Sequence, residues 1–171
     1  VGEMYPRSSA DFRAACHTHS RGNPFLLTEL LRAVEADGIT TDEQGASRVA
    51  GIGPQEVARG VIQRVERLGP DAVALAEAVA VLGTGRVALP PAALLAGVEL
   101  ERAADIADGL VDSAIFAGGL ALNYRHPLIG RAVFRSLRPH RLAVDRVRAA
   151  RILDSQGESA EVVASHLLGA L

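Results

Sequence analysis

The sequence predicts a mainly α-helical fold, made of a helical subdomain, a winged helix with one small β-hairpin, and a helical pair. Three observations favour this fold class. The 171-residue chain is 49% hydrophobic but only 4% aromatic, so its core consists of small aliphatic side chains that suit closely packed helices. Apolar residues recur at helical spacing through most of the chain. Proline and glycine divide this pattern into short segments.

Residues 1–53 are predicted to form a helical lid subdomain and a linker. Asp11–His17 indicates a short first helix. Asn23 is a good N-cap and the proline after it suits the first helical position, so the second helix is predicted over Pro24–Ala36. Residues 38–53 are polar, rich in glycine and without a period, which is typical of a mobile linker or an exposed loop.

Residues 54–137 are predicted to form a winged-helix-like domain. Pro54 opens a helix with one apolar face. The next helix, Asp71–Gly83, is apolar almost all round and is therefore expected to be central. Shorter helices are predicted over Pro90–Ala96 and Leu100–Ser113.

A β-hairpin is predicted after these helices. Ile115–Ala117 and Leu120–Arg125 flank Gly118-Gly119, which permits the positive φ values of a tight two-residue turn. Leu120, Leu122 and Tyr124 alternate with polar or small residues and are expected to face inward. Three helices followed by a hairpin is the order of a winged helix.

The remaining residues are predicted to be helical. His126-Pro127 opens a helix with a buried apolar face. Residues 138–171 are predicted to form two helices joined at Gln156-Gly157. Such a pair covers its own apolar faces poorly and is expected to begin a helical repeat.

Composition narrows the class of protein. The net charge is −2, so no overall field attracts nucleic acid or anionic lipid. Cys16 is the single cysteine, which excludes an internal disulfide and predicts a buried, small hydrophobic role. Without a long apolar run or a signal peptide, the chain is expected to be soluble and cytoplasmic, and to be part of a longer protein.

The motifs of catalysis are missing from this sequence. All basic residues are arginine, so a GxxxxGK[ST] phosphate loop does not occur, and no nucleophile triad is visible. The glycine-rich stretches at 51–54 and 82–87 lack a preceding strand and are interpreted as a linker and a turn. His17 and His19 have no evident third metal ligand. We therefore expect no metal site and no enzymatic activity of this chain alone.

His126 is a candidate binding residue because of its position. It should be the N-cap of the helix that begins at Pro127. Free backbone N–H groups and the helix dipole favour an anion there, and a histidine can donate to a phosphate oxygen. The alternative is a capping histidine that forms a hydrogen bond within its own turn. Both interpretations stay open on spacing alone.

Three blocks of the sequence carry a resemblance to a known family. GNPFLLTELL, VIQRVERLGPDAVALAEAVAVLG and NYRHPLIGRAVFRSLRPHR, in this order, resemble the middle of large LuxR-type transcriptional regulators of the MalT-like, STAND-class ATPases. The resemblance covers residues 10–171. It implies an ATPase core, a small helical domain, a winged helix, a helical repeat sensor and a C-terminal helix-turn-helix.

The resemblance also implies roles for four residues. Pro24 would pack against adenine, with Gly22 and Asn23 shaping the turn, and His126 would contact the β-phosphate of ADP. ATP or ADP is thus expected in the full-length protein and not in this chain alone. The expected partners are the ATPase core and the helix-turn-helix domain of the same protein, with homo-oligomers as a further expectation. Pro127 stands where related ATPases carry an aspartate, so the switch would depend on His126 alone.

Direct DNA binding by the winged helix is the alternative function. The charged residues of its would-be recognition helix, 100–113, are mostly acidic, whereas phosphate contact requires positive charge. We therefore expect the DNA contact to belong to the helix-turn-helix domain. The acidic residues of this helix are Glu101, Asp105, Asp108 and Asp112.

Overall fold

The computed structural model describes residues 1, 5–51, 54–83 and 86–170, and these residues are mainly helical, as predicted. They form ten helices. In chain order these are α1 (Ala10–Ser20), α2 (Pro24–Ala36), α3 (Glu43–Gly51), α4 (Pro54–Glu66), α5 (Pro70–Leu82), α6 (Leu89–Ala96), α7 (Leu100–Asp112), α8 (Pro127–Ser136), α9 (Pro139–Ser155) and α10 (Ala160–Leu168).

The chain divides into two compact units. The first unit is Val1–Gly60 and the second is Val61–Leu171, so the division falls within α4. The predicted boundary lies a few residues earlier, between residues 53 and 54. Each unit has its own hydrophobic core.

In the first unit, α1 packs against α2 and α3 around a small hydrophobic core. Ser9 caps α1 by accepting a hydrogen bond from the backbone N–H of Phe12. Cys16 is fully buried, as predicted, and burial raises the pKa of its thiol. The prediction of α2 over Pro24–Ala36 is confirmed at both ends. The core residues are Phe12, Cys16, Leu30, Leu31, Val34, Ile39, Ala46 and Val49.

The predicted linker over residues 38–53 is wrong for most of its length. Residues 43–51 form α3, whose Ala46 and Val49 are buried in the core of the unit. Asp42 opens the helix by accepting a hydrogen bond from the Gly45 N–H at 2.9 Å. A Cβ atom on Gly45 would collide with the Thr40 carbonyl group. This glycine therefore permits a close approach of two backbone segments and does not indicate flexibility.

In the second unit, α5 occupies the central position that its apolar sequence predicts. It packs against α6, α7, α8 and α9. Small side chains on several of its faces are buried, which lets the neighbouring helices approach closely. Its buried residues are Ala72, Leu75, Ala76, Ala78, Val79 and Val81.

The β-structure after α7 differs from the predicted hairpin. Phe116 and Tyr124 form one isolated antiparallel bridge, and Val87 and Leu122 form another. The first bridge centres the turn on Leu120 instead of Gly118-Gly119. Leu120 is 98% exposed at the tip of the loop, so the prediction that it faces inward is wrong.

The last three helices follow the predicted order. His126 precedes α8, and α9 and α10 meet at the predicted Gln156-Gly157 turn. Arg146 of α9 donates a hydrogen bond to the Gly169 carbonyl oxygen, where α10 ends. Its guanidinium group also lies over the ring of Phe134 in α8, 5.6 Å from the ring centre. Arg146 of α9 thus contacts both α8 and the end of α10.

Candidate functional site

The first candidate site is the turn before α2. Gly22 adopts a positive φ of 72°, which suits glycine, and the N–H of Asn23 donates to the Ser20 carbonyl oxygen at 2.8 Å. Asn23 Oδ1 accepts hydrogen bonds from the N–H groups of Phe25 and Leu26 at 3.0 and 3.4 Å. The predicted N-cap is confirmed. Pro24 is exposed at the first helical position.

A cavity of about 640 Å³ lies beside this turn, within the first unit. We call it the α2 cavity. Gly22, Asn23 and Pro24 all line it, so the structure brings these three predicted residues together. Arg13 and His17, one turn apart on α1, supply basic side chains to its wall. Their spacing of four, which places both side chains on one helix face, is the sequence signal that could have predicted this contribution.

His126 is the N-cap of α8 in the second unit. Its Nδ1 accepts a hydrogen bond from the Leu128 N–H at 3.2 Å. The capping interpretation is confirmed, and the phosphate contact stays a prediction. Because Nδ1 is the acceptor, the proton of the neutral ring resides on Nε2, which makes Nε2 a donor.

A second cavity, of about 670 Å³, lies within the second unit. We call it the α8 cavity. Arg131, Arg135 and Arg146 line it, and Asn123 adds a polar amide. Its apolar wall comes from the end of α5 and from aromatic and proline rings. These apolar residues are Ala80, Val81, Tyr124, Pro127 and Phe134.

The exposed side of α7 has the wrong charge for the DNA alternative. Its four acidic residues are all exposed. Arg102 lies within 2.5 Å of the Asp71 carboxylate, which neutralises the basic residue of this helix. Phosphate groups of DNA would be repelled by such a surface.

Several predictions concern residues that the structure leaves undescribed. Residues 52–53 and 84–85, the centres of the two glycine-rich stretches, lie outside the described residues.

Within the described ranges, no three His, Cys, Asp or Glu side chains are grouped to hold a metal ion. None of the described helices has the length and apolarity needed to cross a membrane.

Comparisons with known proteins found no match. No family model, no curated protein and no solved structure matches this chain.

Proposed function

We propose that this chain is the regulatory middle segment of a nucleotide-switched LuxR-type transcriptional regulator. In this proposal the chain supplies parts of the ADP/ATP site and relays the nucleotide state to sensor and DNA-binding domains. The observation that carries the proposal is His126, which caps α8 through Nδ1 and so holds its imidazole ring at the N-terminus of that helix. A backbone-fixed imidazole of this kind suits a phosphate oxygen.

The order of elements in the second unit supports a winged helix. Helices α5, α6 and α7 precede the bridged segments at Phe116 and Tyr124. Val87, between α5 and α6, bridges Leu122 and supplies a third short segment beside them. The proposed winged helix thus has three helices and a three-segment β-structure, with Leu120 at the tip of its wing.

The turn before α2 supports the proposed contact with the base. The Pro24 ring is exposed and its backbone is held by the Asn23 cap, so it offers a rigid apolar surface to a flat ring. The α2 cavity at about 640 Å³ has the volume of a small-molecule pocket. Gly22, Asn23 and Pro24 would hold the adenine end of the nucleotide.

The switch that we propose is a shift between two populations. Bound ADP supplies phosphate oxygens that accept a hydrogen bond from His126. Exchange for ATP changes the phosphate contacts, and only such a differential contact can shift the equilibrium. Because the loop with a phosphate-binding lysine is not in this sequence, hydrolysis would belong to the ATPase core elsewhere in the full-length protein.

The test compares two variants of His126 in the full-length protein. His126→Asn keeps an acceptor for the Leu128 N–H, because Asn23 caps α2 in the same way before a proline. It removes the Nε2 donor. We expect ADP retained through gel filtration to fall by about tenfold or more, with the melting temperature of the nucleotide-free protein unchanged.

His126→Ala is the matched comparison, since it removes both the cap and the donor. We expect it to lose ADP as His126→Asn does, and also to lower the stability of α8 by about 1 kcal/mol. If His126→Asn retains ADP and basal transcription like the wild type, the clamp through His126 is wrong. Loss of ADP in His126→Ala alone would assign the histidine a capping role only.

A further inference from the structure

The α8 cavity combines positive charge with an apolar wall, and nothing in the proposed nucleotide switch uses it. On α8, the residues that line the cavity recur at spacings of three and four, which is one helix face. The opposite face buries Ile129 and Val133 in the core, with exposures of 0% and 2%. The residues on the cavity face are Pro127, Gly130, Arg131, Phe134 and Arg135.

Several arginines of the chain are paired with carboxylates, whereas Arg131 and Arg135 of this cavity are not paired with any carboxylate among the described residues. Arg32, Arg102 and Arg141 each lie within 2.7 Å of a carboxylate oxygen. Within the part of the chain that the structure describes, no carboxylate forms an ion pair with Arg131 or Arg135. None of the described residues that line the cavity is acidic.

The three guanidinium groups make this face electrostatically unfavourable without a counter-charge. Arg131 and Arg135 are four residues apart on one helix, where like charges destabilise the helix. Arg146 is held in place by the Gly169 carbonyl oxygen and the Phe134 ring. The chain as a whole has a net charge of −2, so the positive charge is a local feature. An anion in the cavity would relieve the repulsion and meet a prearranged donor.

The apolar wall limits which anion fits. Ala80, Val81 and the Tyr124 and Phe134 rings line the cavity beside the arginines. A volume of about 670 Å³ is within the range of small-molecule pockets and far exceeds that of a single phosphate or carboxylate group. A ligand with an apolar body and one anionic head group would use both parts of the wall.

We propose that the α8 cavity binds a small amphipathic anion, with its carboxylate or phosphate head on Arg131, Arg135 and Arg146 and its apolar body against the end of α5. This site is separate from the proposed contact between His126 and the nucleotide. It gives the second unit a means of sensing a small molecule.

The experiment uses isothermal titration calorimetry on the whole 171-residue chain with four probes. Octyl phosphate and octanoate carry both the apolar body and an anionic head, and they distinguish a phosphate from a carboxylate ligand. Octanol carries the body alone, and inorganic phosphate the head alone. We expect one of the first two to bind at least about tenfold more tightly than either partial probe.

The arginines are tested with a double variant, Arg131→Gln/Arg135→Gln. Both side chains are exposed, so the variant is expected to fold. We expect the affinity for the amphipathic probe to fall by about tenfold or more. Arg151→Gln is the matched control, because Arg151 is an exposed arginine of α9 that does not line the cavity. The affinity of the Arg151→Gln variant for the amphipathic probe should equal that of the wild type.

Four results would overturn the proposal. These are equal binding of octanol, equal binding of inorganic phosphate, no binding of either amphipathic probe at millimolar concentration, and unchanged affinity in the double variant. A loss of ADP in His126→Asn would leave this proposal unaffected, because that variant tests a different residue and a different ligand.

Discussion

The ring of Tyr124 occupies the space that a side chain at Gly130 would need. A Cβ atom on Gly130 would lie 2.7 Å from Tyr124 Cδ2. The ring is fixed on two other sides, because its hydroxyl donates to the Ala76 carbonyl oxygen at 2.6 Å and its edge meets the Phe116 ring with centres 5.3 Å apart. Tyr124 thereby joins α5, α8 and the β-bridged segment.

Gly130→Ala is therefore expected to destabilise the second unit. In an exposed helix the same change stabilises by up to about 1 kcal/mol, because alanine has the higher helix propensity. Here the tight contact outweighs this gain, and we expect a net loss of about 1–3 kcal/mol in the free energy of unfolding. Urea denaturation followed by circular dichroism measures this loss.

Gly109→Ala is the matched control for Gly130→Ala. Gly109 lies inside α7, and a Cβ atom there would meet nothing within 4 Å. We expect this variant to gain up to about 1 kcal/mol. If both glycine variants shift stability in the same direction and by the same amount, the contact with Tyr124 does not decide the choice of residue at position 130.

A second glycine should be even less replaceable. Gly45→Ala places a methyl group against the Thr40 carbonyl group, and a backbone atom cannot rotate away as a side chain can. We expect the first unit to lose about 3 kcal/mol or more. Gly51→Ala, at the end of the same helix, meets nothing within 4 Å and should have little effect. Thermal denaturation of both variants distinguishes them, and equal melting temperatures would contradict the packing of α3.

These two glycines show why the sequence predicted one helix and missed another. The apolar residues of α8 recur at helical spacing, so the sequence predicts this helix although it contains Gly130. In α3, the buried face amounts to Gly45, Ala46 and Val49, which is too little apolar surface to show a period. The glycine and the polar residues around it are also typical of a loop. The packing of α3 against α1 stabilises the helix, and no local pattern shows this packing.

The candidate site divides in the same way into local and non-local features. The caps at Asn23 and His126 depend on a residue and the backbone two positions later, so the sequence predicts them directly. The α8 cavity depends on α5, α8 and α9 meeting in space. No local pattern shows that Arg146 of α9 lies beside Arg131 and Arg135 of α8.

The two tyrosines should both titrate well above the usual range. Tyr5 donates a hydrogen bond to the Glu35 carboxylate at 2.5 Å, which together with burial and the charge of Glu35 raises its pKa to about 12. Burial raises the pKa of Tyr124 as well, and the charge of Glu77 adds to this shift. The chain has no tryptophan, so tyrosinate absorbance at about 295 nm reports these two groups alone.

We expect little tyrosinate absorbance while the fold persists at about pH 10, where an ordinary tyrosine is half ionised. Tyr5→Phe should leave the native titration at this pH unchanged, and unfolding in urea should restore an ordinary curve for both residues. A native component that titrates near pH 10 and disappears in Tyr5→Phe would show that the Glu35 hydrogen bond is absent in solution.

Acid should destabilise the contact between α9 and α10 through His166. Burial, and to a lesser extent the Arg146 charge, lowers the pKa of this histidine. The folded state therefore favours the neutral ring, and the stabilisation is present above the unfolded pKa of about 6.5 and is lost as pH falls through the folded value. Urea denaturation at pH 7 and pH 5 should show a larger fall in the unfolding free energy for the wild type than for His166→Gln.

Glu77 acts in the opposite direction, because burial raises its pKa, but it is common to both proteins and cancels in the difference. His140→Gln is the control for the substitution itself, since His140 is an exposed histidine of α9. Parallel pH profiles for the wild type and His166→Gln would show that His166 is not buried in its neutral form.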